Sequence, residues 1–192
     1  MDRTRQRITR AAVELHGTIG PAATTMSAVA ERAGVTRATL YRHFPNEEML
    51  FEACSADWRV TNPGPDTAGW AAIVDPADRL QVALGEVYAW YRSTEAMRAN
   101  LLRDIEVLPS AIAARISAFP GATRDVLEFG WPPDGGAFRH AALGHALAFE
   151  TWRSLAREGL EDPQAADLMV LFVTNAASYG ERRLGPALSG FD

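Results

Sequence analysis

The stretch GVTRATLYRHF, residues 34–44, has the length of a short helix and almost nothing to bury. At 100° per residue, Leu40 and Phe44 fall on one stripe, with Thr36 close by. Ala38, Thr39, Tyr41 and Arg42 fall on the opposite arc, and Arg37 and His43 flank the stripe. An ordinary solvated helix would carry Glu and Lys on such a face. Hydroxyls, a phenol, an imidazole and guanidinium groups around one small residue suit DNA instead. They can hydrogen-bond phosphates, which fixes register. Arg can also grip guanine, and small or Thr side chains can pack on a thymine methyl.

The flanking residues supply a frame for this helix. Thr25 is a good N-cap for a preceding helix that runs to Ala33. Gly34 ends it, being the residue that accepts a left-handed backbone after a helix, and Thr36 caps the next one. Two short helices joined through so tight a Gly turn have the form of a helix-turn-helix. Ala30 is small where the two must approach, and Val29, Val35 and Leu40 supply apolar pins. Upstream, Ile8, Ala11, Ala12 and Leu15 recur at three- and four-residue steps and predict a helix over about 4–18. Gly20 and Pro21 stop it. Downstream, Asn46 caps a fourth helix with Glu47 and Glu48 in its first turn, where the helix dipole favours acids. That helix fades near Val60.

Further along, the chain predicts helices almost throughout and no alternating strand pattern. TNPGPDTAGW, residues 61–70, is a loop by composition and lies between head and body. Asp75 and Pro76 open a helix reaching about Arg92, and another covers roughly 95–108. Pro109 starts a third, which FPG at 119–121 breaks or kinks, with a further piece to Phe129. GWPPDGG, residues 130–136, is a second loop. Two long helices follow, over about 137–158 and 163–183, and the tail after them is expected to fray. The expectation is an all-α chain of about nine helices. A three-helix DNA-binding domain with a helix-turn-helix, 1–50, precedes a helical bundle for ligand binding and dimerisation, 51–192.

Composition narrows the chemistry. All 19 basic residues are Arg, and the absence of Lys excludes a Schiff base and a P-loop lysine. Residues 1–50 carry a net charge of +2 and residues 51–192 a net of −7, a basic head on an acidic body. Cys54 is the only cysteine, so no intrachain disulfide can form, which suits a reducing compartment. The N-terminus lacks the apolar core of a signal peptide, and no uncharged apolar run of membrane-spanning length exists. A soluble cytoplasmic protein with no membrane partner is expected. There is no His-Glu-x-x-His, no Gly-x-Ser-x-Gly, no phosphate loop and no Cys/His cluster. Asp75 and Asp78 pair only where a helix start favours acids. No catalytic residue, metal or cofactor is therefore expected, and the chain does not read as an enzyme. A helical small-molecule-metabolising enzyme and a helical adaptor that binds no DNA are the alternatives.

TTMSAVAERAGVTRATLYRHFPNEEML, residues 24–50, resembles the DNA-binding head of the tetracycline-repressor-like (TetR) transcriptional regulators. Gly20, Thr24, Thr25, Ala30, Ala33, Gly34, Val35, Thr39, Leu40, Tyr41, His43 and Phe44 carry the resemblance, which covers residues 8–50. It implies that Thr25, Arg37, Thr39, Tyr41 and His43 occupy positions that commonly touch DNA. Ser27, Thr36, Ala38 and Arg42 complete the candidate DNA-binding set. One departure stands out: the family often has Lys in the first turn of the fourth helix, at a phosphate, where this chain has Glu47. Arg3, Arg5, Arg7 and Arg10 are then candidates for a basic arm in the minor groove, where width and potential favour Arg.

In the body, Leu168 to Val173 are apolar without interruption, so that helix is buried on more than one face. AALGHALA, residues 141–148, allows close helix approach. A C2 homodimer through these last two predicted helices fits both features and resembles how the family dimerises. It would present two heads to a palindromic operator on double-stranded DNA. Bulky aromatics among scattered polar groups suggest a small-molecule effector site. Its candidate residues are Tyr88, Trp90, Tyr91, Asp104, Trp131, Phe138, His145, Phe149 and Trp152. The expected function is a ligand-responsive transcriptional regulator, a repressor released from its operator by the effector.

Overall fold

The computed structural model describes residues 2–132 and 136–184, with side chains through Ala176. The tail expected to fray lies outside the described residues, as does the centre of the 130–136 loop. The helices are α1 (Arg3–Thr18), α2 (Met26–Arg32), α3 (Arg37–His43), α4 (Glu47–Thr61), α5 (Thr67–Ala71), α6 (Pro76–Ser93), α7 (Glu95–Arg103), α8 (Ser110–Glu128), α9 (Gly136–Ala146), α10 (Phe149–Arg157) and α11 (Asp162–Leu184). Single 3-10 turns at Pro21–Ala23 and Ile105–Val107 join them, and there is no strand among the described residues. The all-α expectation stands, with eleven helices among the described residues in place of about nine.

The chain forms two compact units. The first comprises residues up to Gly64 together with Ser93–Ser117, so α7 and the first part of α8 fold with the head rather than with the body. Its core is Ile8, Ala11, Ala12 and Leu15 of α1, Met26, Val29 and Ala30 of α2, Leu40 and Phe44, and Leu50 and Cys54 of α4. α7 is pinned to the end of α1 by polar contacts. Asn100 Nδ2 donates to the carbonyls of His16 and Gly17, each at 3.0 Å, and Arg103 Nη2 donates to Ile19 O at 3.0 Å. Asp104 Oδ2 accepts from the Ala22 amide at 3.1 Å and pairs with Arg103. The last carbonyls of a helix have no partner within it, and α7 supplies them.

The second unit comprises Pro65–Arg92 and the chain from Ala118 onward. α6 is its central helix: Leu80, Ala83, Leu84, Val87, Tyr88 and Tyr91 are all at most 1% exposed. Three features depart from expectation. Residues 67–71 form α5 within the expected loop. Asp66 caps it, and Trp70 is buried with its indole N–H on Glu86 at 2.8 Å. α8 runs unbroken through Pro120, since Thr123 and Leu127 beyond it are buried and hold the last turns in place.

The third departure is that the helix expected over 137–158 is two, parted at Leu147 and Ala148. No Gly or Pro marks that break. The Tyr88 hydroxyl donates to Ala146 O and the Tyr91 hydroxyl to Leu147 O, each at 2.7 Å and buried. Two carbonyls that would continue the helix are thereby satisfied elsewhere. Arg79, 1% exposed, donates to Ile73 O, Val74 O, Val126 O and Phe129 O, so a buried guanidinium ties two loops together.

Candidate nucleic-acid interface

α2 and α3 have seven residues each, too few to be stable alone. Their ends are therefore heavily specified. Thr25 Oγ1 accepts from the Ala28 amide at 3.1 Å, and Thr36 Oγ1 accepts from the Thr39 amide at 3.1 Å. Gly34 has φ +62°. Around it the Val35 amide donates to Ala30 O and the Gly34 amide to Glu31 O, the paired bonds of a Schellman ending. Below this frame Leu40 and Phe44 are fully buried, each contributing about 1.5–3 kcal/mol relative to exposure.

With those two side chains docked, the rest of α3 faces away from the core. Arg37, Ala38, Tyr41 and Arg42 are exposed, as are Thr25, Ser27 and Thr36. Thr39 and His43 are half-buried. Thr36 Oγ1 donates to Thr39 Oγ1 at 3.0 Å. The Asp2 carboxylate, which also caps α1, lies 3.4 Å from His43 Nδ1. All nine candidate DNA-binding residues thus sit on α2, α3 or their caps, within one compact unit. An exposed arc of cationic and hydroxyl donors on one helix is chemically equipped to hydrogen-bond phosphates and base edges.

Residues 8–54 match the family model described as bacterial regulatory proteins, tetR family. The head is that of a TetR-family transcriptional regulator. Solved structures share the fold well beyond the head. A TetR-like transcriptional regulator from Rhodococcus sp. RHA1 superposes with a TM-score of 0.68 at 18% identity, covering 93% of this chain and 98% of that one. The TetR-family regulator PfmR from Thermus thermophilus gives 0.61 at 16% identity, covering 92% and 97%. NalD, the secondary repressor of the MexAB-OprM multidrug efflux pump in Pseudomonas aeruginosa, gives 0.58 at 19% identity, covering 91% and 95%. The protein is a DNA-binding regulator of transcription and not an enzyme.

Two features of the TetR-family head were not expected from sequence. First, α1 begins at Arg3, within a residue of the expected start, so the arginines considered for a basic arm are helical, and what the spacing did not show is how they divide. Arg5, half-buried, and Arg7, itself exposed, donate to backbone carbonyls of the helix-turn-helix, whereas Arg3 and Arg10 are exposed on the rest of the helix. Nothing in their spacing separates the two pairs; only the fold does. Second, His16 is buried, stacked on Phe51 at 4.4 Å between ring centres, with Cys54 Sγ 3.6 Å from its Nδ1. Burial lowers the His16 pKa to about 4. Burial likewise pushes the Cys54 thiol up to about 12, with smaller opposing contributions from backbone hydrogen bonds, so it is held as an inert thiol.

The candidate effector residues do not converge on one place. Tyr88, Tyr91, Phe149 and Trp152 pack together, with Tyr91 5.4 Å from Phe149 and 5.9 Å from Trp152 between ring centres. Trp90 adjoins Tyr91 and Phe119. Burial, then the neighbouring Tyr91, raises the Tyr88 phenol above its ordinary value and keeps it a donor. Trp131 stands apart with its indole N–H on Leu127 O. Phe138 is exposed on α9, as is His145, whose ring meets Phe172 edge-on at 5.8 Å. Asp104 belongs to the first unit, where Arg103 and the Ala22 amide already engage it.

On the second unit, Phe138, Ala141, Ala142, Phe172, Asn175 and Ala176 line an open, almost wholly apolar groove of about 490 Å³ between α9 and α11. Leu168 and Leu171 add exposed apolar surface on α11. Among the described residues no cluster of His, Cys, Asp or Glu is placed to hold a metal, and no helix is long and apolar enough to cross a membrane.

Proposed function

We propose that the protein is a homodimeric, ligand-responsive repressor that acts on a palindromic operator in the cytoplasm. Residues 1–50 would read DNA, and 51–192 would bind the effector and dimerise. One observation carries the reading: α3 docks its apolar side through Leu40 and Phe44 and turns Arg37, Ala38, Tyr41 and Arg42 outward. Thr25, Ser27, Thr36, Thr39, Tyr41 and His43 would hold the backbone. Arg37, Ala38 and Arg42 would read bases. The apolar groove and its flanking leucines support dimerisation through α9 and α11, because a monomer would leave that surface in water.

A small-molecule site walled by the aromatic cluster of Tyr88, Trp90, Tyr91, Phe149 and Trp152 would supply the ligand response. Phe138 and His145 would belong to the seam. NalD, of like fold, is described as a repressor, which favours repression over activation. The effector would act by shifting α7, whose Asn100, Arg103 and Asp104 hold the end of α1. Two heads must sit about one helical turn of DNA, ~34–36 Å, or a multiple apart, so a small shift would release them. The test is a mobility-shift titration with the intergenic DNA beside the protein's own gene. A salt-sensitive shift reversed by a metabolite of the neighbouring genes is expected. Equal affinity for specific and scrambled duplexes would sink the regulator reading.

A further inference from the structure

We propose that Arg5 and Arg7 are positioning residues for DNA reading, holding both C-terminal ends of the helix-turn-helix from α1 and touching no DNA themselves. The inference rests on the DNA-binding reading of the head and adds to it the device that sets the recognition helix. Arg7 donates from Nε at 3.3 Å and from Nη2 at 2.8 Å to Ala33 O, and from Nη2 at 3.1 Å to Gly34 O. Its fork thus closes the end of α2 at the turn itself. Arg5 Nη1 donates to His43 O at 2.6 Å at the end of α3, and its guanidinium lies 4.1 Å over the ring of buried Phe44.

Each contact answers a specific deficiency. The Schellman bonds satisfy the carbonyls of Ala30 and Glu31 but leave those of Ala33 and Gly34, and Arg7 takes both. The last carbonyls of α3 are likewise without helical partners, and a cation there also suits the helix dipole. Helices of seven residues have little internal rigidity, so the angle at which α3 leaves the head depends on what holds its far end. Leu40 and Phe44 hold its inner face, and Arg5 holds its C-terminus. Guanidinium groups spent on carbonyls are not aimed at phosphates. Arg7 is as exposed as Arg3 and Arg10, but its fork is already engaged on carbonyls, which leaves Arg3 and Arg10 as the cations of α1 for the DNA backbone. A bidentate fork also makes Arg specific here, since Lys cannot reproduce it.

The experiment uses a duplex selected from a random-sequence pool by the wild-type protein, and a scrambled duplex of equal length. Affinities of Arg5→Gln, Arg7→Gln, Arg7→Lys and, as comparators, Arg3→Gln and Arg10→Gln are measured across a salt series. Arg5→Gln and Arg7→Gln should lose roughly tenfold or more on the selected duplex and almost nothing on the scrambled one. Their slope of log affinity against log salt should be that of wild type, because no phosphate contact is lost. Arg7→Lys should fall between. Hydrogen exchange of α3 amides should quicken in the Gln variants while α1 keeps its protection. If Arg7→Gln does not fold, Arg7→Lys and Arg5→Gln carry the same comparison. Equal losses on both duplexes with a slope shallower by about 1 would make these residues DNA contacts and overturn the proposal. So would wild-type affinity in the variants. Failure of the wild-type protein to enrich any sequence would overturn the DNA-binding reading itself, and this inference with it.

Discussion

Arg37 and Tyr41 lie four positions apart on α3, both exposed, and different work is assigned to them. Tyr41→Ala should weaken binding to all duplexes alike, since a phenol on a phosphate carries no base information. Arg37→Ala should cost about 1–3 kcal/mol and relax preference at one base position. Binding to a panel of single-base operator variants separates the two, and a uniform loss for Arg37→Ala would remove its reading role. His16 carries a prediction of another kind. Its folded-state pKa is held near 4 by burial, against about 6.5 when unfolded. As pH falls below about 6.5 the unfolded chain takes up a proton that the folded one refuses. Stability is therefore lost progressively and the loss is complete near pH 4, on the order of 3 kcal/mol. Urea midpoints of wild type and His16→Gln compared from pH 7.5 to 4 should show a shallower decline in the variant.

At the scale of elements, legibility followed locality. The bounds of α1 to α4 were readable to within a residue or so because caps, the Gly turn and apolar spacing are all written within a few positions. The α9–α10 break was not readable, because its cause is two hydroxyls some 56–58 residues away. Tyr88→Phe leaves Ala146 O buried without its donor and should cost about 1–3 kcal/mol in chemical unfolding. α5 was hidden in a loop-like composition and exists because Trp70 has a buried place to go and Glu86 to bond. Asn100→Ala removes both donors from the end of α1 and should lower stability by roughly 1–2 kcal/mol. If α7 transmits the effector's action, it should also blunt effector release in the mobility-shift titration.

For the whole molecule, the proposed homodimer is the property to test. Leu171 is 59% exposed on an element that also buries Ala165, Ala166, Met169 and Val173. Leu171→Asp should therefore leave the fold intact while halving the mass seen by analytical ultracentrifugation. Operator affinity should fall with it, because one head alone reads half a palindrome. A dimer retained in that variant would place the seam elsewhere.

The sequence by itself determined the head. The residues that cap α2 and α3, turn the chain at Gly34, dock Leu40 and Phe44 and leave the reading arc outward all lie within about twenty positions. Short-range sterics and periodicity suffice to interpret them. The tertiary structure alone decided which arginines of α1 bond backbone carbonyls, and where the body helices break. It also decided that Asp104 bonds the Ala22 amide and Arg103 within the first unit. Those outcomes depend on which donors and acceptors meet across long stretches of chain. A buried carbonyl must find a partner wherever the fold brings one, and no local pattern records which partner that will be.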